Sequence, residues 1–266
     1  MQQRHQDRFQ YFKELCNTSR DYYVAYVSRY LRLNADTRVL EIGCGEGGNL
    51  LPFASLGCEV TGMDIDRGRI EQAKHFFKER GQHGLFFVQD FTSCPVPQAE
   101  DERYNLVLIH DVIEHIPSSV KLDFISHIRG FLRSGGIVFF GFPAWQNPFG
   151  GHQQISDGFT SKLPFIHLLP SSLYRRLLRF GGATDGQIAE LLYIKEAQVT
   201  IECFERLAHT AGYSILDRTL WFINPHYKQK FNLKPRRLFS VFCHLPFVRN
   251  FLTTSAFYIL SIREKA

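Results

Sequence analysis

Between residues 37 and 142 the chain repeats one pattern: a short apolar run, a turn, then a segment with apolar residues at helical spacing. Val39-Leu40-Glu41-Ile42, Glu59-Val60-Thr61-Gly62-Met63-Asp64, residues 85–91, Tyr104-Asn105-Leu106-Val107-Leu108-Ile109 and residues 137–142 read as strands. Residues 49–56 read as the first helix between them. A second carries Ile70, Ala73 and Phe77 on one face, starting after the N-cap candidate Asp66 and stopping at Gly81. A third is marked by Phe124, Ile125, Ile128, Phe131 and Leu132. Parallel neighbours need long crossovers, so this rhythm implies an α/β fold with a mostly parallel sheet covered by helices on both faces.

The flanking segments fit one such domain over residues 1–266. Residues 1–36 form a leading helical segment, in which Tyr23, Tyr26, Val27, Tyr30 and Leu31 recur at helical spacing over residues 8–33 and read as a core-facing stripe. The rhythm breaks at Pro143. Residues 143–198 hold Asn147-Pro148, Gly150-Gly151, Pro164, Pro170 and Gly181-Gly182, which suits a lid insertion. A helix over residues 200–211 and two strands, 213–224 and 253–262, restore the pattern around a second insertion, 225–251.

At 44% hydrophobic and 21% charged residues the composition excludes disordered, collagenous and low-complexity classes. Six scattered cysteines show no CxxC or Cys/His pair at zinc-ligand spacing, so neither a disulfide framework nor a metal site is expected. The polar start, MQQRHQDRFQ, is unlike a signal peptide, and no run approaches the ~18 apolar residues of a spanning helix. A soluble, cytoplasmic protein is expected.

Chemistry concentrates after the first strand. Glu41-Ile42-Gly43-Cys44-Gly45-Glu46-Gly47-Gly48 opens a helix at the carboxyl end of that strand, the place where doubly wound sheets bind nucleotides. Glycine there permits close ligand approach and positive φ. Asp64 ends the second strand near the ~20-residue offset at which a carboxylate takes ribose hydroxyls. A nicotinamide-dependent oxidoreductase shares both features, but its loop reads GxGxxG and serves a pyrophosphate. Here the glycines read GxGxG, and the acid Glu41 suits a cationic ligand group better than a phosphate.

With these residues in place the chain resembles the class I S-adenosylmethionine-dependent methyltransferases. The resemblance rests on Val39-Leu40-Glu41-Ile42-Gly43-Cys44-Gly45-Glu46-Gly47, Gly62-Met63-Asp64-Ile65-Asp66, Gln89-Asp90-Phe91 and the segment from Tyr104 through His110-Asp111-Val112-Ile113-Glu114-His115-Ile116-Pro117. It implies a Rossmann-like, seven-stranded, mostly parallel sheet with an antiparallel last strand. It also implies S-adenosyl-L-methionine as cofactor. Residues 43–47, Cys44 included, would lie along its methionine and ribose portions, with Glu41 near the ammonium and Asp64 on the ribose hydroxyls. Ile65 would flank the adenine, Asp90 would take its amino group, Phe91 would add backbone and apolar contact, and the His110 carbonyl would face the methionine moiety.

Methyl transfer itself needs alignment more than covalent help, since oriented reactants can save ~7 kcal/mol or more of barrier. A base is needed only for an acceptor that carries a proton, and His115 and His152 are the candidates. Glu114-His115 occurs in small-molecule O-methyltransferases such as those of ubiquinone synthesis, which points to a hydroxyl acceptor. The alternative readings are a capping histidine at 115 and a solvated loop histidine at 152. No Asp/Asn-Pro-Pro-Tyr and no nucleophilic cysteine follow the fourth strand, which disfavours methylation of nucleic-acid bases. Since every strong motif concerns the cofactor, a binding protein without turnover is the other reading.

The net charge of +5 is exceeded by residues 225–251 alone, with Lys228, Lys230, Lys234, Arg236, Arg237, Arg249 and no acid. A second basic stretch, residues 171–180, sets Arg175, Arg176 and Arg179 opposite Leu173, Tyr174, Leu177 and Leu178. A solvated rim, a clamp for an anionic acceptor and a peripheral membrane contact for a lipid-linked acceptor all fit these charges. On this reading Asp64→Ala weakens binding of S-adenosylmethionine by roughly 1–3 kcal/mol, through lost charge-assisted hydrogen bonds; calorimetric titration measures it.

Overall fold

The computed structural model describes residues 7–156 and 158–263. Its strands are β1 (Arg38–Ile42), β2 (Glu59–Asp64), β3 (Leu85–Val88), β4 (Tyr104–His110), β5 (Leu132–Phe142), β6 (Tyr213–Ile223), β7 (Arg236–Arg237) and β8 (Ser255–Ile262). They form one sheet in the order β3-β2-β1-β4-β5-β8-β6-β7. Strands β1 to β5 pair in parallel, and β8 runs antiparallel between β5 and β6. The α/β architecture is therefore the expected one, with an eighth strand added to the expected seven. That addition, β7, is two charged residues paired with Trp221 and Ile223 of β6, and it forms the edge of the sheet. It has no apolar run to announce it, and a short basic edge discourages further pairing.

Alternation along the central strands builds two cores. Leu106 and Leu108 of β4 pack on one face with Val39, Phe139, Phe53 and Phe77, while Val107 and Ile109 pack on the other with Leu40, Phe140, Phe124 and Phe204. Four helices cover the first face: α1 (Arg8–Thr18), α2 (Val24–Val27), α3 (Leu51–Ser55) and α4 (Arg67–Glu79). The second is covered by α5 (Lys121–Ile128) and α8 (Ile201–Thr210). Local signals set several of their ends. Asp66 accepts from the Arg69 amide at 3.0 Å and so caps α4, and Gly81 follows it at φ +62°. Thr200 caps α8 through the Cys203 amide.

Several boundaries differ from expectation, three of them for an identifiable local reason. The leading helix ends at Val27 and passes through a π-helical turn, Ser19–Tyr23. β3 stops at Val88, because Asp90 turns the chain by accepting from the Thr92 amide. β5 begins at Leu132, which pairs with Tyr104 before residues 133–136, with Gly135 at φ +72°, depart from regular register.

Residues 143–198 leave the carboxyl end of β5 and carry α6 (Ser171–Phe180) and α7 (Asp185–Ala197). Ile166, Tyr174, Leu178, Ala183, Ile188 and Leu191 give this insertion its own apolar cluster. Lys121 ties it to the sheet layer: its buried ammonium donates to the carbonyls of Ile113 at 2.5 Å, Ile116 at 2.6 Å and Ala197 at 2.6 Å. The second insertion holds α9 (Tyr227–Phe231), α10 (Ser240–Cys243) and α11 (Val248–Leu252). One of its six basic residues is not a surface charge at all. Arg249 is buried and pairs with Glu202 at 2.8 Å and Glu205 at 3.0 Å.

Lys121→Met retains the apolar stem but orphans three carbonyls, each worth roughly 1–3 kcal/mol when buried unpaired. A loss of several kcal/mol in urea unfolding is expected, with protease cleavage within residues 143–198 appearing first.

Candidate functional site

The site lies along the carboxyl ends of β1, β2 and β4. Strand order reverses between β1 and β4, so the turns leaving them diverge and open a crevice. Gly43 and Cys44 both donate their amides to the Met63 carbonyl, at 2.8 and 3.0 Å, folding the glycine loop back across β2. Gly43 has φ +72°, and a Cβ there would stand 2.4 Å from Val112 Cγ2, so only glycine fits between the two turns. Gly45, at φ +52°, has open space where its Cβ would be and donates its amide to Asp64 Oδ2 at 2.9 Å. Gly47 closes the turn by donating to the Cys44 carbonyl. The Cys44 thiol points away, into a buried position against Gly62, and burial pushes its pKa well above the usual thiol value.

Two acids flank the loop. Glu41 is buried; its Oε1 accepts from Asn49 Nδ2 at 2.7 Å, whereas Oε2 is buried without a hydrogen-bond partner among the described residues. Burial, helped by the charge of Asp64 and opposed by Asn49, pushes the Glu41 carboxyl up to about 8. Asp64 accepts from the amides of Gly45 and Asp66 at 2.9 Å each, which fixes its carboxylate and leaves lone pairs on both oxygens. Beside it Ile65 is 76% exposed, an apolar side chain unsatisfied by the fold. Asp90 is exposed, with Oδ1 occupied by the amide and hydroxyl of Thr92. Phe91 is buried and turns its ring into the core against Phe124, His127 and Phe131, which engages the apolar surface expected to contact the cofactor.

At the end of β4 a second constellation appears. His110 Nε2 lies 2.8 Å from the Tyr23 hydroxyl and its Nδ1 lies 3.2 Å from Asp111 Oδ2. The two rings stack with centroids 4.9 Å apart. Asp111 adopts φ +52° and leaves half its side chain exposed. Burial works against its charge, but His110, then His152 and His226, hold its carboxyl below the usual range. Glu114 is buried, and no other described residue gives either carboxylate oxygen a hydrogen bond. Burial first and Asp111 second push its pKa well up, against its own amide and Lys121.

His115 and His152 meet edge to face with ring centroids 5.0 Å apart, which brings the two sequence candidates together from the β4 turn and the lid. Burial lowers the pKa of His115, with Asp111 opposing. His152, at φ +55°, is pushed down to about 4 by burial and by His115. Both imidazoles are then neutral at pH 7.

Sequence reasoning did not assign Tyr23, Asn49, Asp111 or Glu114 to the site. Tyr23 read as part of a core stripe, and it is fully buried; its hydroxyl gave no signal. Asn49 lies eight residues beyond Glu41, and that spacing says nothing about contact. A separate polar depression lined by Asp36, Arg38, Glu59 and Asp101 opens at the opposite end of the strands, far from these groups, and carries no comparable chemistry.

Residues 39–136 match the family model described as a methyltransferase domain. A ubiquinone biosynthesis O-methyltransferase of Pasteurella multocida is 25% identical over 124 residues, 44% of this chain and 50% of that protein. Its counterpart in Roseobacter denitrificans is 34% identical over 100 residues, 38% of each. The chain thus spans half or less of the length of these curated relatives. Among solved structures, a magnesium protoporphyrin IX methyltransferase from Synechocystis PCC 6803 with bound SAH aligns with a TM-score of 0.56 at 17% identity, over 92% of this chain and 81% of that one. An S-adenosylmethionine-dependent methyltransferase from Clostridium acetobutylicum ATCC 824 aligns at 0.60 and 11% identity, over 93% and 92%. At these identities the likeness is one of fold.

The Gly43 contact has a direct test. Gly43→Ala is expected to cost roughly 1–3 kcal/mol from overpacking and positive φ. Val112→Ala in the same chain should recover part of that loss in thermal unfolding, since it removes the clash but not the backbone strain.

Proposed function

Taking residues 39–136 as a methyltransferase domain, we propose that the chain is a class I enzyme that transfers a methyl group from S-adenosylmethionine to an oxygen of a small-molecule acceptor. The observation that carries this reading is the buried Glu41 oxygen without a partner, beneath a glycine loop whose Gly45 faces open space. A carboxylate placed so is matched by a cationic group, as the ammonium of this cofactor would be. Bound S-adenosylmethionine supplies a methyl carbon made electrophilic by the sulfonium.

The residues fit such a ligand. Asp64, held by two amides, would keep its remaining lone pairs for ribose hydroxyls. Exposed Ile65 would gain burial against the adenine, and Asp90 with the main chain of Phe91 would border its amino edge. The His110 carbonyl ends β4 beside the same crevice, and the Tyr23–His110 stack gives that end a rigid wall. His115 and His152, both neutral at pH 7, would accept the proton of a hydroxyl acceptor. The names of the O-methyltransferase relatives and this imidazole pair support oxygen as the atom methylated. An anionic or lipid-linked acceptor is supported by the basic character of residues 225–251, from which Lys230 acts electrostatically on His152.

Incubation with donor labelled in the methyl group and a panel of phenols, catechols and other hydroxylated metabolites should yield a labelled methyl ether. Donor binding with no product across the panel would mean a cofactor-binding protein, and absence of donor binding would end the reading altogether. A pH experiment probes Glu41. Its raised pKa means that the free chain holds a proton there at pH 7, while an ammonium partner favours the carboxylate. Cofactor binding should therefore release a proton, and affinity should rise with pH by up to about tenfold per unit until roughly pH 8. Calorimetry in buffers of different ionisation enthalpy reads the release, and Glu41→Gln should abolish it.

A further inference from the structure

We infer that Glu114, His115 and His152 form a binding site for a divalent first-row metal ion of the zinc, manganese or iron(II) class. One donor atom from each lies within 4.8 Å of the other two, and the three residues come from two segments that meet only in the folded chain. Metal bonds of about 2.0–2.2 Å hold donors closer than this, so small side-chain rotations complete the site. Two imidazoles and one carboxylate are a donor set that such ions accept, leaving further positions open to water or to an acceptor oxygen.

The independent observation is Glu114. Its residue exposure is 3%, and no other described residue gives either carboxylate oxygen a hydrogen bond. A buried carboxylate so placed is unfavourable unless something pairs with it. The obvious internal cation does not: Lys121, though near, gives its ammonium to the carbonyls of Ile113, Ile116 and Ala197. Those same bonds hold the turn that carries Glu114 and His115.

The main chain that carries the third donor is also held. His152 sits at φ +55° with its amide on the Phe149 carbonyl at 3.0 Å, and the buried Gln153 side chain donates to the carbonyls of Pro148 and Leu163 at 3.0 Å each. The two segments that carry the donors are thus fixed by hydrogen bonds to their main chain, which limits the reorganisation that ion binding would require. Asp111, with half its side chain exposed, adds a negative charge that acts on both imidazoles.

That the ion would stand beside the acceptor rests on the proposed methyl transfer, and an ion there would lower the pKa of a bound hydroxyl. Binding of the ion does not rest on it. The two are therefore measured separately on the full chain after treatment with a chelator: Zn2+ by competition with a chromophoric chelator, Co2+ by its visible absorption, and cofactor by calorimetry. One equivalent of Zn2+ is expected, together with a Co2+ spectrum showing nitrogen ligation. Glu114→Gln and His152→Ala should each weaken Zn2+ binding by more than the ~10–100-fold typical of losing an outer partner, with melting temperature and cofactor affinity as checks of folding. His152→Asn serves if the alanine variant does not fold.

Failure of the wild-type chain to take up one equivalent of either ion would overturn the inference, as would unchanged binding in the folded variants. Metal uptake without cofactor binding would sink the methyltransferase reading and leave the metal site standing. Cofactor binding without metal uptake would do the reverse.

Discussion

The close approach of the β1 turn to the β4 turn is the constraint on which the remaining architecture hangs. Gly43 abuts Val112 with no room for a Cβ between them. Beyond that point the chain parts: the crossover after β1 carries α3 onto the face with Phe53 and Phe77, and the crossover after β4 carries α5 onto the face with Phe124 and Ile125. Two helices leaving neighbouring strands for opposite faces leave a crevice at their root. Asp64 and His110 end their strands along that opening and Glu41 stands one residue before the end of β1, so their convergence is a product of topology rather than of separate loop conformations.

The crevice has two chemically distinct ends. Near the glycine loop, polar groups are held by main-chain amides, and the main-chain hydrogen bonds of Gly43, Cys44, Gly45 and Asp66 leave little freedom. Near the β4 turn, burial dominates: Glu114, His115 and His152 are ionisable groups brought together where desolvation disfavours their charged forms. Left-handed backbone at Asp111 and His152, neither a glycine, is retained at this end. Such conformations cost about 1–3 kcal/mol each and persist where the surroundings enforce them. Here Lys121 and Gln153 provide that enforcement through five hydrogen bonds to main-chain carbonyls.

The second insertion is anchored as well as charged. Arg249 forms a buried network with Glu202 and Glu205, the latter also binding Arg218 and the Tyr258 hydroxyl. Lys228 reaches Asp21 on the leading helical segment, and Arg237 lies over the Trp221 ring. The insertion is thereby fastened to α8, β6 and the N-terminal segment. No helix among the described residues is long and apolar enough to cross a membrane.

What the sequence by itself determined was whatever depends on neighbours along the chain. The βα rhythm, the Asp66 cap, the glycine loop and the acid after β2 are local patterns, and each is written in residues a few positions apart. The strand β7 was not legible, because two arginines pair with β6 through main-chain bonds that no side-chain pattern encodes. Nor was the role of Arg249, since a basic residue in a basic run looks solvated until Glu202 and Glu205 are folded against it. The meeting of His115 with His152, the Tyr23–His110 bond and the orphaned oxygens of Glu41 and Glu114 belonged to tertiary structure alone. They depend on which groups a fold excludes from water and sets face to face across long stretches of chain, and neither periodicity nor spacing carries that information.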